Sequence, residues 1–122
     1  MVLVLDDHPI SRQGLESIIK IHKPDTETVQ AGTVQEAIDL TEHEQIDMAF
    51  IDIHLHNESG FDFLEWMQKK DMDIKTFIIT SSSSENDFLK AKNLGIDAYL
   101  LKDAFIDDIV YSLKVVDRGG EI

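Results

Sequence analysis

Five short apolar segments alternate with longer segments of helical periodicity, and this alternation restricts the possible folds more than any other feature of the chain. The predicted strands are Val2 to Leu5, Thr28 to Ala31, Met48 to Ile51, Thr76 to Ile79 and Ala98 to Leu101. They are almost continuously apolar or β-branched, which is typical of strands covered on both faces. The segments between them suit crossover helices rather than hairpin turns. The pattern therefore predicts an α/β fold, with a parallel sheet between two layers of helices.

The segments between the strands repeat apolar residues at the spacing of an amphipathic helix. The repeats are Leu15, Ile18, Ile19 and His22, then Val34, Ala37, Ile38 and Thr41, and near the end Ile106, Ile109, Val110 and Leu113. A third helix is predicted over about Gly60 to Lys70. Thr33 with Glu36 resembles a capping box, Pro9 suits a first helical turn, and Gly95 is the predicted stop of the fourth helix.

Composition excludes several classes of function. The 122 residues suit one domain. The formal net charge of −13 repels phosphate backbones, so the chain is not expected to bind nucleic acid directly. It has no cysteine, which excludes thiolate metal sites and cysteine nucleophiles and suits a reducing cytoplasm. No apolar run approaches the roughly 18 residues of a membrane span, and the N-terminus does not resemble a signal peptide. A cytoplasmic protein without a membrane contact is expected.

Polar residues with complementary charges follow four of the predicted strands. Asp6 and Asp7 follow the first strand, Asp52 the third, Thr80 the fourth and Lys102 the fifth. Ligands of open parallel sheets bind outside the carboxyl ends of the strands, where the strand order reverses. These five side chains are therefore expected to meet at one edge of the sheet.

Such a group of side chains suits the transfer of a phosphoryl group. Carboxylates repel one another by about 4 kcal/mol per pair at 4 Å and an effective dielectric constant near 20, so a cluster requires a cation. Carboxylate oxygens favour Mg²⁺, while Lys102 and Thr80 offer a positive charge and a hydrogen-bond donor to a phosphoryl group. Asp52 follows the apolar segment Met48 to Ile51 and is the predicted nucleophile, which would form an acyl phosphate.

The ordered set of motifs resembles the receiver domain of two-component response regulators over the whole chain. The motifs are Asp6-Asp7, Asp52, Gly60 eight residues later, Thr80-Ser81, Ala91-x-x-x-Gly95 and Tyr99-Leu100-Leu101-Lys102. The resemblance implies a flavodoxin-like (βα)5 fold, which is a doubly wound sheet of five parallel strands in the order 2-1-3-4-5.

The resemblance also implies a role for each matching residue. Asp52 is the expected phosphoacceptor, and Lys102 is expected to pair with the phosphoryl oxygens. The expected Mg²⁺ ligands are Asp6, Asp7, Asp52 and the main-chain carbonyl of His54. The expected switch residues are Thr80, Ser81 and Tyr99. A domain of this kind is not an enzyme in the usual sense, because it catalyses only its own phosphorylation and dephosphorylation.

Three further segments resemble the NarL/LuxR-type subfamily: Asp6-Asp7-His8-Pro9, Lys102-Asp103-Ala104 and Gly119-Gly120-Glu121. The resemblance implies a single receiver domain over residues 1–122 that receives its phosphoryl group from a sensor histidine kinase and forms a homodimer when phosphorylated. In that subfamily a helix-turn-helix domain follows and binds DNA to regulate transcription. A chain that lacks this output domain by truncation is therefore expected, with a stand-alone receiver as the alternative.

Two positions depart from the family pattern. His56 stands four residues after Asp52, where the family usually has proline, and Asp103 stands after Lys102, where many members also have proline. The first departure is expected to loosen the adjacent loop. The second puts the cis peptide often seen there in doubt, because a non-proline cis bond costs about 2.5–4 kcal/mol.

Other functions remain alternatives on the sequence alone. A Mg²⁺-dependent aspartyl phosphohydrolase would need a general acid, and His54 two residues beyond Asp52 is not an evident one. A flavodoxin-like binding module would need a phosphate cradle, whereas Asp6 and Asp7 repel phosphate. A receiver that takes no phosphate would not need the complete set of five residues at the strand ends. A transition-metal site at His8, His54 and His56 is disfavoured by the adjacent carboxylates, which favour Mg²⁺.

Overall fold

The computed structural model describes residues 1–81 and 84–102 as seven strands and four helices. The strands are β1 Val2–Leu5, β2 Thr28–Ala31, β3 Met48–Ile51, β4 His54–Leu55, β5 Glu58–Ser59, β6 Lys75–Thr80 and β7 Ala98–Leu101. The helices are α1 Pro9–His22, α2 Val34–His43, α3 Gly60–Lys69 and α4 Glu85–Asn93. None of the helices in these two ranges is long and apolar enough to cross a membrane.

Five of the strands form one parallel sheet in the order β2-β1-β3-β6-β7. Since β6 and β7 are the fourth and fifth predicted strands, the expected order 2-1-3-4-5 is confirmed. β6 is one residue longer at each end than its apolar pattern predicted. From β1 the chain passes to β2 on one side and then to β3 on the other, so the strand order reverses between β1 and β3. Ligands of open parallel sheets bind at the carboxyl ends of the strands beside such a point.

Alternate residues of the central strands enter two separate cores, one on each face of the sheet. In β1, Leu3 and Leu5 belong to one core, and Val2 and Val4 to the other. Phe50 of β3 lies in the second core against the ring of Phe77, with 4.6 Å between the ring centroids. This two-sided burial explains why the strands are apolar throughout, and it makes β1 and β3 rigid supports for the residues that follow them.

The predicted helix boundaries are mostly confirmed. The hydroxyl oxygen of Thr33 accepts the main-chain N–H of Glu36 at 3.1 Å and caps α2. Pro9 lies in the first turn of α1, and Gly95 has a φ of +78° just beyond α4. α3 ends at Lys69, one residue before the predicted end. The predicted last helix and the Lys102–Asp103 peptide bond lie outside the described residues.

A short antiparallel hairpin of β4 and β5, not predicted from the sequence, follows β3. His54 pairs with Ser59 and Leu55 with Glu58. Asn57 lies in the turn with a φ of +62°, a conformation that asparagine adopts more readily than most residues. The carboxylate of Glu58 accepts the main-chain N–H of Val34 at 3.1 Å, so the hairpin is fixed to the first turn of α2.

Gly60 directly follows this hairpin, at a position where no side chain fits. A Cβ atom there would lie 2.3 Å from the carbonyl oxygen of Asp52 and 2.9 Å from the Cα of Ile53. Gly60→Ala is therefore expected to lower the free energy of unfolding by roughly 3 kcal/mol, the upper part of the usual range for overpacking. Urea unfolding followed by the fluorescence of Trp66, the single tryptophan, measures the change.

Gly14→Ala is the matched control for this prediction. Nothing lies within 4 Å of the Cβ that this substitution adds in α1. Alanine favours a helix over glycine by about 0.8–1.0 kcal/mol, so this variant is expected to be slightly more stable than the parent. Equal stability of the Gly60→Ala variant and the parent would contradict the close packing beneath the hairpin.

Candidate functional site

Charged residues from three strand ends meet at the carboxyl edge of the sheet, as the sequence predicted. Asp6 follows β1, Asp52 follows β3 and Lys102 follows β7. The Lys102 Nζ lies 2.9 Å from Asp6 Oδ2 and 2.9 Å from Asp52 Oδ2. Asp6 is 7% exposed and Asp52 4% exposed. The structure therefore brings two buried carboxylates into contact with one ammonium group.

Asp7 and His8 complete the cluster. One ligand atom from each of Asp6, Asp7, His8 and Asp52 can be chosen so that all four lie within 4.8 Å of one another. A cluster of three carboxylates and a single lysine keeps a surplus of negative charge. This surplus favours a further cation at the site.

A main-chain N–H holds one oxygen of each carboxylate. Asp6 Oδ1 accepts the N–H of His8 at 2.8 Å, and Asp52 Oδ1 accepts the N–H of His54 at 3.0 Å. Asp7 Oδ2 accepts the N–H of His56 at 2.7 Å. Because these donors belong to the backbone, they fix how each carboxylate is oriented. The second oxygen of each group is left for other partners.

The second oxygen of Asp7 has no such partner. Asp7 Oδ1 is buried and accepts no hydrogen bond from the part of the chain that the structure describes. The Nδ1 of His8 lies 3.0 Å away but makes its hydrogen bond to Asp6 Oδ1, at 3.1 Å. A buried anionic oxygen without a donor is costly. Together with the oxygen-rich ligand set, this oxygen fits a hard divalent cation such as Mg²⁺.

Lys102 is held as a cation by its two neighbours. Burial disfavours the charged ammonium, but hydrogen bonds and charge from Asp52 and Asp6 outweigh that effect, so the pKa of Lys102 lies above its ordinary value. The group is therefore protonated at neutral pH. A positive charge is therefore present 2.9 Å from Asp52 Oδ2.

Arg12 is a second cation near the cluster, and its position was not predicted from the sequence. Its Nη1 donates to the main-chain carbonyl of Asp6 at 2.6 Å, and its Nε donates to the Gln30 side chain at 3.2 Å. The guanidinium thus braces the peptide that joins Asp6 and Asp7. The only sequence signal was a basic residue in the first turn of the helix that follows the acidic pair, and basic residues are common on helix surfaces.

The three histidines of the alternative transition-metal site, which are His8, His54 and His56, take separate positions. The His54 ring is exposed, and its Nε2 lies 3.0 Å from Asp87 Oδ2 at the start of α4. His56 contacts the cluster through its main-chain N–H. Of the three histidines, only the ring of His8 belongs to the metal-compatible group. This arrangement does not bring the three imidazoles together as a transition-metal site requires. The carbonyl of His54 as a Mg²⁺ ligand stays a prediction.

Of the expected switch residues, Thr80 and Ser81 lie at the end of β6, and Tyr99 is the second residue of β7. Thr80 is completely buried, and its main-chain carbonyl accepts the N–H of Lys102 at 2.7 Å. Ser81 is exposed. The half-buried ring of Tyr99 meets Phe88 of α4 edge-on, with 5.3 Å between the ring centroids. These positions connect the charged cluster to α4 through β6 and β7, while the switch roles themselves stay predictions.

Comparisons with known proteins agree with this geometry. The family described as the response regulator receiver domain matches residues 2–114. The nitrate/nitrite response regulator protein NarP of Escherichia coli is 26% identical over 121 residues, which are 99% of this chain and 56% of that protein. NarL of the same species is 28% identical over 118 residues, which are 97% of this chain and 55% of that protein. The chain thus spans about half the length of these relatives.

Solved structures show the same fold. A DNA-binding response regulator of the LuxR family from Staphylococcus aureus superimposes with a TM-score of 0.85 and 27% sequence identity. The match covers 95% of this chain and 97% of that one. The similarity therefore extends over nearly the whole chain.

Proposed function

The chain belongs to the response regulator receiver domain family, and from this premise we propose that it is a switch that accepts a phosphoryl group on Asp52. The observation that carries the proposal is the contact of Lys102 Nζ with both Asp6 and Asp52 at 2.9 Å. A buried nucleophile, a fixed positive charge and an acidic metal-compatible cluster are the parts that phosphoryl transfer requires.

We propose that Mg²⁺ is held by Asp6, Asp7, Asp52 and the main-chain carbonyl of His54. The orphaned Oδ1 of Asp7 and the surplus of negative charge support this ligand set. When bound, the ion neutralises charge on the phosphoryl oxygens during transfer.

In the proposed reaction, a carboxylate oxygen of Asp52 attacks the phosphorus of a phosphohistidine on a sensor kinase. A P–O bond forms as the P–N bond breaks, and the imidazole leaves with the electron pair and takes up a proton. Lys102 stabilises the charge on the three phosphoryl oxygens. Attack by water on the same phosphorus later returns the carboxylate, so the domain catalyses only its own phosphorylation and dephosphorylation.

The proposed output is conformational. Thr80 and Ser81 meet the new phosphoryl group, and Tyr99 changes its contact with α4. To move the population of the active state from 1% to 99%, the phosphoryl group must bind that state more tightly than the inactive one by roughly 5.5 kcal/mol. Contacts of the phosphoryl dianion with Lys102 and Mg²⁺ are large enough to supply this difference. By similarity to the DNA-binding response regulator of the LuxR family from Staphylococcus aureus, we propose that the chain controls transcription in the cytoplasm together with a DNA-binding domain outside this chain. We also propose that phosphorylation leads to a homodimer.

The test is incubation with acetyl phosphate, a small phosphoryl donor, followed by intact-mass measurement. The protein is expected to gain one phosphoryl group with Mg²⁺ and none when the ion is removed by a chelator. Absence of the gain under both conditions would contradict the proposal. Sustained turnover of p-nitrophenyl phosphate, faster than the acyl phosphate hydrolyses, would instead identify a phosphohydrolase.

A further inference from the structure

We propose that the main-chain N–H of His56 positions Asp7 for the divalent cation, so that the turn of the β4–β5 hairpin is part of the metal site. The inference rests on the proposed function and deepens it. It concerns a backbone donor that exists in this chain because residue 56 is not proline. His56 acts here as a positioning residue, and its exposed ring has no part in the proposal.

The three carboxylates of the cluster are not held in the same way. Asp6 and Asp52 each accept the N–H of the residue two positions later, so each belongs to a local turn. The hydrogen bond of Asp7 joins residues 49 positions apart, from the end of β1 to the hairpin. Asp7 therefore depends on the hairpin for its orientation, whereas its two neighbours are oriented by their own turns.

This hydrogen bond selects which oxygen of Asp7 faces the cluster. With Oδ2 at 2.7 Å from the His56 nitrogen, Oδ1 is the remaining oxygen, and it is buried without a hydrogen bond. Repulsion from Asp6 and Asp52 favours rotation of this side chain toward water. The N–H opposes that rotation, so the ligand oxygen is in place before the cation binds.

The donor is itself held in place. The hairpin is closed by the pairs of His54 with Ser59 and Leu55 with Glu58, and Leu55 is 8% exposed. The hydrogen bond that the Val34 N–H donates to the Glu58 carboxylate fixes the hairpin to α2. Backbone groups with such support orient a metal ligand with little entropic cost, and loss of partners of this kind typically weakens metal binding by about 10–100-fold.

Two substitutions at position 56 separate the N–H from the side chain. His56→Pro removes the N–H, and His56→Ala keeps it while removing the imidazole. A positive φ does not exclude proline at position 56, because the residues with a positive φ among those described are Asn57, Asp71 and Gly95. Leu55 before it is extended, which is the conformation that favours a following proline. Calorimetric titration with Mg²⁺ alone measures the affinity of each folded protein.

The expected result is about 10–100-fold weaker Mg²⁺ binding by the His56→Pro variant, with the parent affinity retained by His56→Ala. Equal affinities of the two variants would overturn the inference and leave the proposed function intact, provided that the parent binds Mg²⁺ and is phosphorylated. A parent that does neither would overturn both.

A second measurement decides the matter if the proline variant does not fold. Hydrogen exchange of the parent, followed residue by residue by NMR, is expected to show a protected His56 amide. Asp7→Ala removes the acceptor and is expected to make this amide exchange rapidly. An unprotected His56 amide in the parent would overturn the inference.

Discussion

Asp52→Asn is expected to abolish phosphorylation by acetyl phosphate, with a rate loss of roughly 1000-fold or more, as is typical when a nucleophile is removed. The carboxamide has nearly the same shape as the carboxylate, so the packing around this 4% exposed side chain is expected to survive. Its oxygen carries no formal charge and is a poor nucleophile for phosphorus. The rate of mass gain in the presence of Mg²⁺ measures the loss.

Asp39→Asn is the matched control for this prediction. Asp39 lies on the exposed side of α2, where its carboxylate accepts a hydrogen bond from Gln35. The same chemical change there is expected to leave the rate unaltered. If the Asp52→Asn protein gained a phosphoryl group as fast as the parent, Asp52 would not be the acceptor.

Lys102→Met is expected to slow phosphorylation by about 10²–10³-fold, the usual cost of removing one preorganised charge-stabilising group. The substitution keeps much of the apolar stem and removes the ammonium that lies 2.9 Å from Asp52. Without it, charge developing on the phosphoryl oxygens has Mg²⁺ as its main neutralising partner. The rate of mass gain with acetyl phosphate again provides the measurement.

The same variant is expected to bind Mg²⁺ more tightly than the parent. The Lys102 ammonium occupies Asp6 Oδ2 and Asp52 Oδ2, so its removal frees both oxygens and makes the site more negative. Slower phosphorylation together with tighter Mg²⁺ binding indicates loss of a charge at the site. General disruption of the site would instead slow phosphorylation and weaken Mg²⁺ binding.

Lys90→Met serves as the control for both measurements, because Lys90 pairs with Glu65 on α3, outside the cluster. It is expected to change neither the phosphorylation rate nor the Mg²⁺ affinity. An unchanged phosphorylation rate in Lys102→Met would contradict the role of the lysine.

The fold could be predicted because its strands are buried on both faces. That burial makes β1 and β3 continuously apolar, and such segments stand out against the helical periods around them. The sheet order came from the family resemblance. The hairpin could not be predicted, since two-residue strands are too short to show a periodicity. Asn57, its clearest signal, is equally common in loops.

The site could be predicted in part. Asp6, Asp52 and Lys102 were predicted because each directly follows a strand of one parallel sheet. The contacts of Arg12 and His56 with the acidic pair could not be predicted, because both depend on main-chain groups whose positions follow from tertiary structure. The sequence predicts that His56 loosens this loop, and this stays a prediction. The structure adds that the main-chain N–H of His56 donates to Asp7.

The central claim is that the phosphoryl group resides on Asp52, and chemical trapping tests it most directly. Borohydride reduces an acyl phosphate to an alcohol and so converts the phosphorylated aspartate to homoserine, which peptide mass spectrometry locates. After treatment with acetyl phosphate and Mg²⁺, homoserine is expected at position 52 alone. Homoserine at Asp6 or Asp7, or a stable phosphoryl group on Ser81, would contradict the account.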